Sequence, residues 1–149
     1  MKDLTQLKPD MMNVFAQTKD KTVLLYNIKK DRRGLLLRKF LDANDMKIVE
    51  VKKENYFDPI GYVLGRPGFE RFEGLRAGAL FTDEMLVMDG FKKEDLDALL
   101  MFFRDSALKR IEYKAMVTPH NIRWNSIMLH KNLKEEHERF LALKAQREK

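Results

Sequence analysis

Two stretches of the chain carry the same succession of hydrophobic and polar patterns. The run KTVLLYNI, Lys21 to Ile28, is almost continuously apolar and rich in β-prone residues, which predicts a strand. In DRRGLLLRKFLDAND the apolar residues change to helical spacing, with Leu36, Leu37, Phe40 and Leu41 on one stripe and Asp31 placed to cap the helix. KIVEVK, Lys47 to Lys52, has polar residues interleaved and predicts a second strand.

The order then recurs. EMLVMDGF predicts a strand, KKEDLDALLMFFRDSA a helix with Leu96, Leu99, Leu100 and Phe103 on its stripe, and RIEYKAMV a strand. Sliding the first unit by 63 residues pairs Lys29 with Lys92, Leu36 with Leu99, Leu37 with Leu100, Phe40 with Phe103 and Ile48 with Ile111. With Lys30/Lys93 and Asp42/Asp105 there are seven identities over the 30 positions from Thr22 to Val51. The shared pattern says more than the identities do.

Two βαβ units in tandem predict an α+β domain of ferredoxin-like type. Its βαββαβ order gives a four-stranded antiparallel sheet with two helices on one face. In that arrangement the first and third strands are central and nearly all apolar, as VLLYNI and MLVM are, while edge strands alternate. In IEYKA the alternation sets Glu112 and Lys114 away from Ile111, Tyr113 and Ala115. Residues 1–20 show no sustained period and read as an N-terminal arm, with a single domain over 21–149. The central strands are apolar on both faces, so the face away from the helices also needs cover. The long connection Glu54 to Asp83, a C-terminal helix from about Trp124, or a second copy of the chain could supply it. In the connection, FDPIGYVLG predicts a short helix with Pro59 in its first turn.

The runs EMLVMDGF, YKAMVTPHNIRW and NLKEEHERF together resemble a bacterial family of uncharacterised proteins, domain-of-unknown-function family 3783. The residues that carry the resemblance are Gly90 and Phe91, Lys114 and Ala115, Thr118 and Pro119, Asn121, Trp124, and Lys134 to His137. DPIGYVLGRPGFE also looks like the corresponding segment of longer members, which would extend the likeness over most of the chain beyond the arm. The resemblance implies no activity, substrate or cofactor, and no catalytic residue is carried over from it.

Composition narrows the classes that remain. Hydrophobic residues at 44% and charged residues at 35% describe an ordinary globular protein, and no apolar run nears the roughly 20 residues of a membrane span. There is no cysteine, which excludes disulfides, thiolate metal sites and a thiol nucleophile. With no signal-peptide pattern at the N-terminus, a cytoplasmic protein is expected. The net charge of +6 admits a nucleic-acid partner, but the charges are mixed along the chain and favour a solvated surface. The central strands also lack the aromatics on which RNA-recognition sheets stack bases.

Two segments carry candidate chemistry. Thr118, His120, Asn121 and Trp124 could line a pocket with His120 as acid or base. Each also has a structural role at a strand-to-helix junction: Thr118 extended before proline, an asparagine (121 or 125) capping the last helix, Trp124 planting it. No nucleophile or carboxylate stands at a telling spacing, so the junction is favoured. In the connection, Arg66, Arg71 and Arg76 alternate with Phe69, Phe72 and Phe81; Arg66, Arg71 and Phe72 are the binding candidates there. The competing reading is a cover whose aromatics fill the sheet face. His130 and His137 are two helical turns apart, about 10.5 Å, too far to share an ion, so no metal or cofactor is expected. The stripe they share with Leu129, Leu133 and Phe140 suggests burial against the domain or a partner, and KAQREK after it suggests fraying. The expected function is a non-catalytic module binding a protein partner or small ligand, with a homodimer as one form. The alternatives are nucleic-acid binding through residues 66–81 and an enzyme with a site at Thr118–Trp124.

Overall fold

The computed structural model describes residues 21–148; the arm read at 1–20 lies outside them. The first unit is β1 (Thr22–Tyr26), α1 (Arg32–Ala43) and β2 (Lys47–Glu50). The second is β3 (Met85–Asp89), α3 (Lys93–Ser106) and β4 (Tyr113–Met116). Between them lie a 3-10 turn, Lys53–Phe57, and the short helix α2, Ile60–Val63, for which Pro59 is the N-cap. A second 3-10 turn, Asn121–Arg123, leads into α4, Ser126–Arg147. The 63-residue offset holds for the starts of β1 and β3 and for the ends of α1 and α3. α4 stays helical to Arg147, through the charged stretch expected to fray.

The antiparallel ferredoxin-like sheet is not what forms. The strand order is β2-β1-β3-β4: β1 pairs with β2 in parallel, β3 with β4 in parallel, and only the central pair β1–β3 is antiparallel. In a ferredoxin-like sheet the second strand would sit beside the third. A short hairpin could enforce that, but residues 51–84 make a connection long enough to leave β2 free. Each helix then returns its strand directly beside the one it left, and the two βαβ units meet back to back. Periodicity is the same in both arrangements, because β1 and β3 are central in each. All five residues of each central strand are buried.

The helix side of the sheet packs Val23, Leu25, Leu86 and Met88 against Leu37 and Leu41 of α1 and Leu99 and Phe103 of α3. Asp31 caps α1, its Oδ1 accepting from the Gly34 N–H at 2.8 Å. The strand register of the second edge differs from the simple alternation: β4 begins at Tyr113, so Ile111 joins the helix-side core while Tyr113 and Ala115 face the other way. Lys114 and Met116 therefore face the helices.

The opposite face is covered by both internal candidates at once. Leu24, Tyr26, Met85 and Val87 pack against Tyr56 and Ile60 of the connection and Leu129 of α4. Gly61 permits this closeness, since a Cβ there would lie 2.5 Å from the Phe69 ring.

Candidate functional site

The Thr118–Trp124 segment is a closed local network. The Thr118 N–H donates to Asn121 Oδ1 at 2.8 Å, and the Asn121 N–H returns a bond to Thr118 Oγ1 at 3.0 Å. Asn121 Nδ2 donates to the Met116 carbonyl at 3.0 Å, which ties the turn to the end of β4. Asn125 caps α4, its Oδ1 accepting from the Met128 N–H at 2.8 Å. The Trp124 carbonyl accepts from the Ile60 N–H at 2.8 Å, joining the start of α2 to the start of α4. His120 is exposed, makes no hydrogen bond among the described residues, and stands edge-on to the Trp124 ring at 5.4 Å. The polar groups singled out here hold a junction together.

In the connection Arg66 and Arg76 act as struts. Asp58 is fully buried; it accepts from Arg76 Nη2 at 2.7 Å, the Phe72 N–H at 2.9 Å and Asn55 Nδ2 at 3.0 Å. Burial alone would raise its pKa, but these donors outweigh that and hold the carboxyl below its ordinary value. Arg66 pairs with Asp89 at the end of β3, and Arg71 is exposed with no hydrogen bond or ion pair among the described residues. Phe72 lies against Phe57, and Phe72 and Trp124 share the rim of a cleft of about 280 Å³ with Pro59 and Met128. The two candidate segments thus meet at one point, but Arg66 and His120 do not reach it.

The tightest assembly of polar and aromatic groups lies where α4 crosses the sheet. The Tyr26 and Ser126 hydroxyls share a hydrogen bond of 2.6 Å with both residues fully buried. Burial pushes the Tyr26 pKa up, only partly offset by that bond. Asn27, at φ 60°, accepts from the Tyr56 hydroxyl and donates to the carbonyls of Phe81 and Asp83, fastening the end of the connection to β1. Phe81 stacks on Tyr56 at 4.7 Å and on the His130 imidazole at 4.1 Å. His130 Nε2 lies 2.8 Å from Asp83 Oδ2, and the Tyr113 ring meets His130 and His137 edge-on at 5.3 and 5.7 Å. Burial raises the Tyr113 pKa, with Asp83, Glu138 and Glu112 adding to it. Sequence reasoning placed His130 on a partly buried stripe but missed Asp83, 47 positions away; only the fold joins them.

α4 therefore starts over the central strand β1 and reaches the edge strand β4 by His137. Beyond that it has no support: every residue from Glu138 to Glu148 is exposed. Phe140, Leu141 and Leu143 are 61%, 48% and 56% exposed. Leu129 and Leu133 of the predicted stripe are covered by the domain, and Phe140 is not. Glu135, Glu136 and Glu138 precede this apolar patch, interleaved with Lys134 and Arg139, and Lys144 and Arg147 follow it.

Among the described residues, no group of three or more His, Asp or Glu stands close enough to hold a metal ion. None of their helices is long and apolar enough to cross a membrane. Residues 84–140 match the model of a family described as Domain of unknown function (DUF3783). The resemblance thus holds from β3 to Phe140 of α4, a shorter span than expected, with the connection outside it. No curated protein and no solved structure matches the chain.

Proposed function

We propose that this protein is a non-catalytic binding module whose docking surface is the distal half of α4, occupied by a second copy of the chain. The observation that carries this is the helix end itself, with Phe140, Leu141 and Leu143 in water and no element of the domain beside them. A contiguous apolar patch on a solvent-facing helix marks an interaction surface. The order of charges favours self-association. Laid antiparallel about Phe140, two such helices set Glu136 of each against Lys144 of the other, the acidic and basic residues that share the face of Phe140. The apolar residues then meet at the crossing, in a self-complementary twofold contact.

The contact is small. Residues 135–147 rise about 20 Å along the helix, and two such segments bury less than the roughly 1,200–2,000 Å² of a standard stable interface. The dimer is accordingly weak, forming in the micromolar range. Nucleic-acid binding through residues 66–81 has less support, because Arg66 and Arg76 are engaged by Asp89 and Asp58. An enzyme at Thr118–Trp124 has less as well, because Thr118 and Asn121 spend their polar groups on the turn.

Sedimentation velocity over a concentration series tests the reading. The mass should rise from 17.7 kDa toward twice that value. Phe140→Asp combined with Leu143→Asp should hold the chain monomeric without lowering its melting temperature, since both residues are exposed. A strict monomer at high micromolar concentration would overturn the dimer.

A further inference from the structure

The sheet face away from α4 carries a second feature, independent of that helix. A cavity of about 450 Å³ opens between α3 and the β4 edge. Leu100, Phe103 and Leu108 form its apolar lining, and Arg104, Arg110 and Lys114 stand around it. The repeat shows why this space is unfilled. In the first unit Leu37 and Met46 are both buried at 1%. Their counterparts 63 positions on are Leu100, 44% exposed, and Lys109, also exposed. α3 is turned so that Leu99 faces inward and Leu100 is left at the cavity.

The cations around it are weakly committed. Lys114 lies on the edge strand opposite Leu86, half-buried, and its Nζ donates to the Ile111 carbonyl. It has no carboxylate at ion-pair distance among the described residues. Burial holds its pKa below the ordinary lysine value and the Arg110 charge lowers it further, with Glu112 opposing. Arg104 and Arg110 pair only with near neighbours, Asp105 and Glu112, each at 3.3 Å and open to solvent. Exposed pairs of this kind re-form readily around a new partner. The carbonyl end of α3 borders the same space with roughly half a negative charge; with Asp105 and Glu112 set against Arg104, Arg110 and Lys114, one net positive charge remains and exceeds it.

We propose that this cavity binds a small amphiphilic anion, a carboxylate on an apolar body. Its head would meet Lys114 between Arg104 and Arg110, and its body would lie on Leu100, Phe103 and Leu108. The volume falls within the roughly 300–1,000 Å³ of small-molecule sites, and an apolar wall with a few convergent polar groups is their usual make-up.

Isothermal titration of the full-length protein with octanoate, with 1-octanol as the uncharged control, tests it. Octanoate should bind saturably at one site and octanol at least about tenfold more weakly, the worth of one charged contact. Lys114→Gln should weaken octanoate about tenfold and Lys114→Arg should largely restore it. Arg104→Gln sits on the exposed rim and leaves folding untouched, so a several-fold loss there stands even if Lys114→Gln destabilises the chain. No saturation at millimolar octanoate, equal binding of octanol, or unchanged affinity in both glutamine variants would overturn the site.

Discussion

The hydrogen bond between Tyr26 and Ser126 fixes where α4 begins on the sheet, and it allows a quantitative test. Both residues are fully exposure-free, and the oxygens are 2.6 Å apart. Tyr26→Phe leaves the Ser126 hydroxyl buried without its partner, and Ser126→Ala does the same to the tyrosine. A buried hydroxyl left unsatisfied costs about 1–3 kcal/mol, whereas removing both partners is nearly neutral. Each single variant should therefore lose about 1–3 kcal/mol, a fall of about 2–4 °C in Tm per kcal/mol for a chain near this size. The double variant should lose clearly less than the sum of the two. Urea denaturation of the four proteins, read by tyrosine fluorescence and by circular dichroism, gives the coupling energy. Strictly additive losses, or singles that cost nothing, would mean that α4 is not seated by this bond.

Three further outcomes follow from the same packing. Asp58→Ala removes the acceptor of three hydrogen bonds and strands Arg76, which retains some contact with water. About 3 kcal/mol should be lost, with faster proteolysis in residues 66–80; a neutral change would refute the strut role. Gly61→Ala should cost about 1–3 kcal/mol because its Cβ would press on the Phe69 ring, and an unchanged urea midpoint would show that Phe69 yields freely. Glu50 is held below its ordinary pKa chiefly by its bond to Arg38. Asp58 and Asp95 are held below theirs by their donors, against the opposing effect of burial. Such groups contribute stability that is fully present above their unfolded values of about 4 and is lost as pH falls through the lower folded values. The urea midpoint should be flat from neutral pH down to about pH 5 and drop below about pH 4; a drop beginning near pH 6 would point to other groups.

The elements were legible in the chain because their signals are local. Leu37, Leu41, Leu99 and Phe103 fall on helical stripes, and the central strands are apolar without interruption, so helices, strands and the central places of β1 and β3 could be read. The pairing of β2 and β4 could not. A βαβ pattern reads the same whether the returning strand lies beside its predecessor or one place away. The long connection removes the hairpin that would have decided it.

The same division runs through the candidate residues. Thr118, Asn121 and Asn125 are three to five positions from their partners, so a junction was readable. Asp83 with His130, Arg66 with Asp89 and Tyr26 with Ser126 are joined only by the fold. The connection hid its own role: Arg66 and Arg76 looked free because Asp89 and Asp58 carry no local mark of burial.

The distal half of α4 as a twofold contact is the claim most open to direct test, and the absence of cysteine makes the test clean. Single cysteines at Arg139, on the flank of the contact, and at Lys131 would be treated with a short bis-maleimide at high micromolar protein. Antiparallel crossing near Phe140 brings the two 139 positions together and holds the two 131 positions about 27 Å apart along the helices. The account predicts rapid cross-linking at 139 and almost none at 131. Equal yields at the two positions, or none at 139, would contradict it.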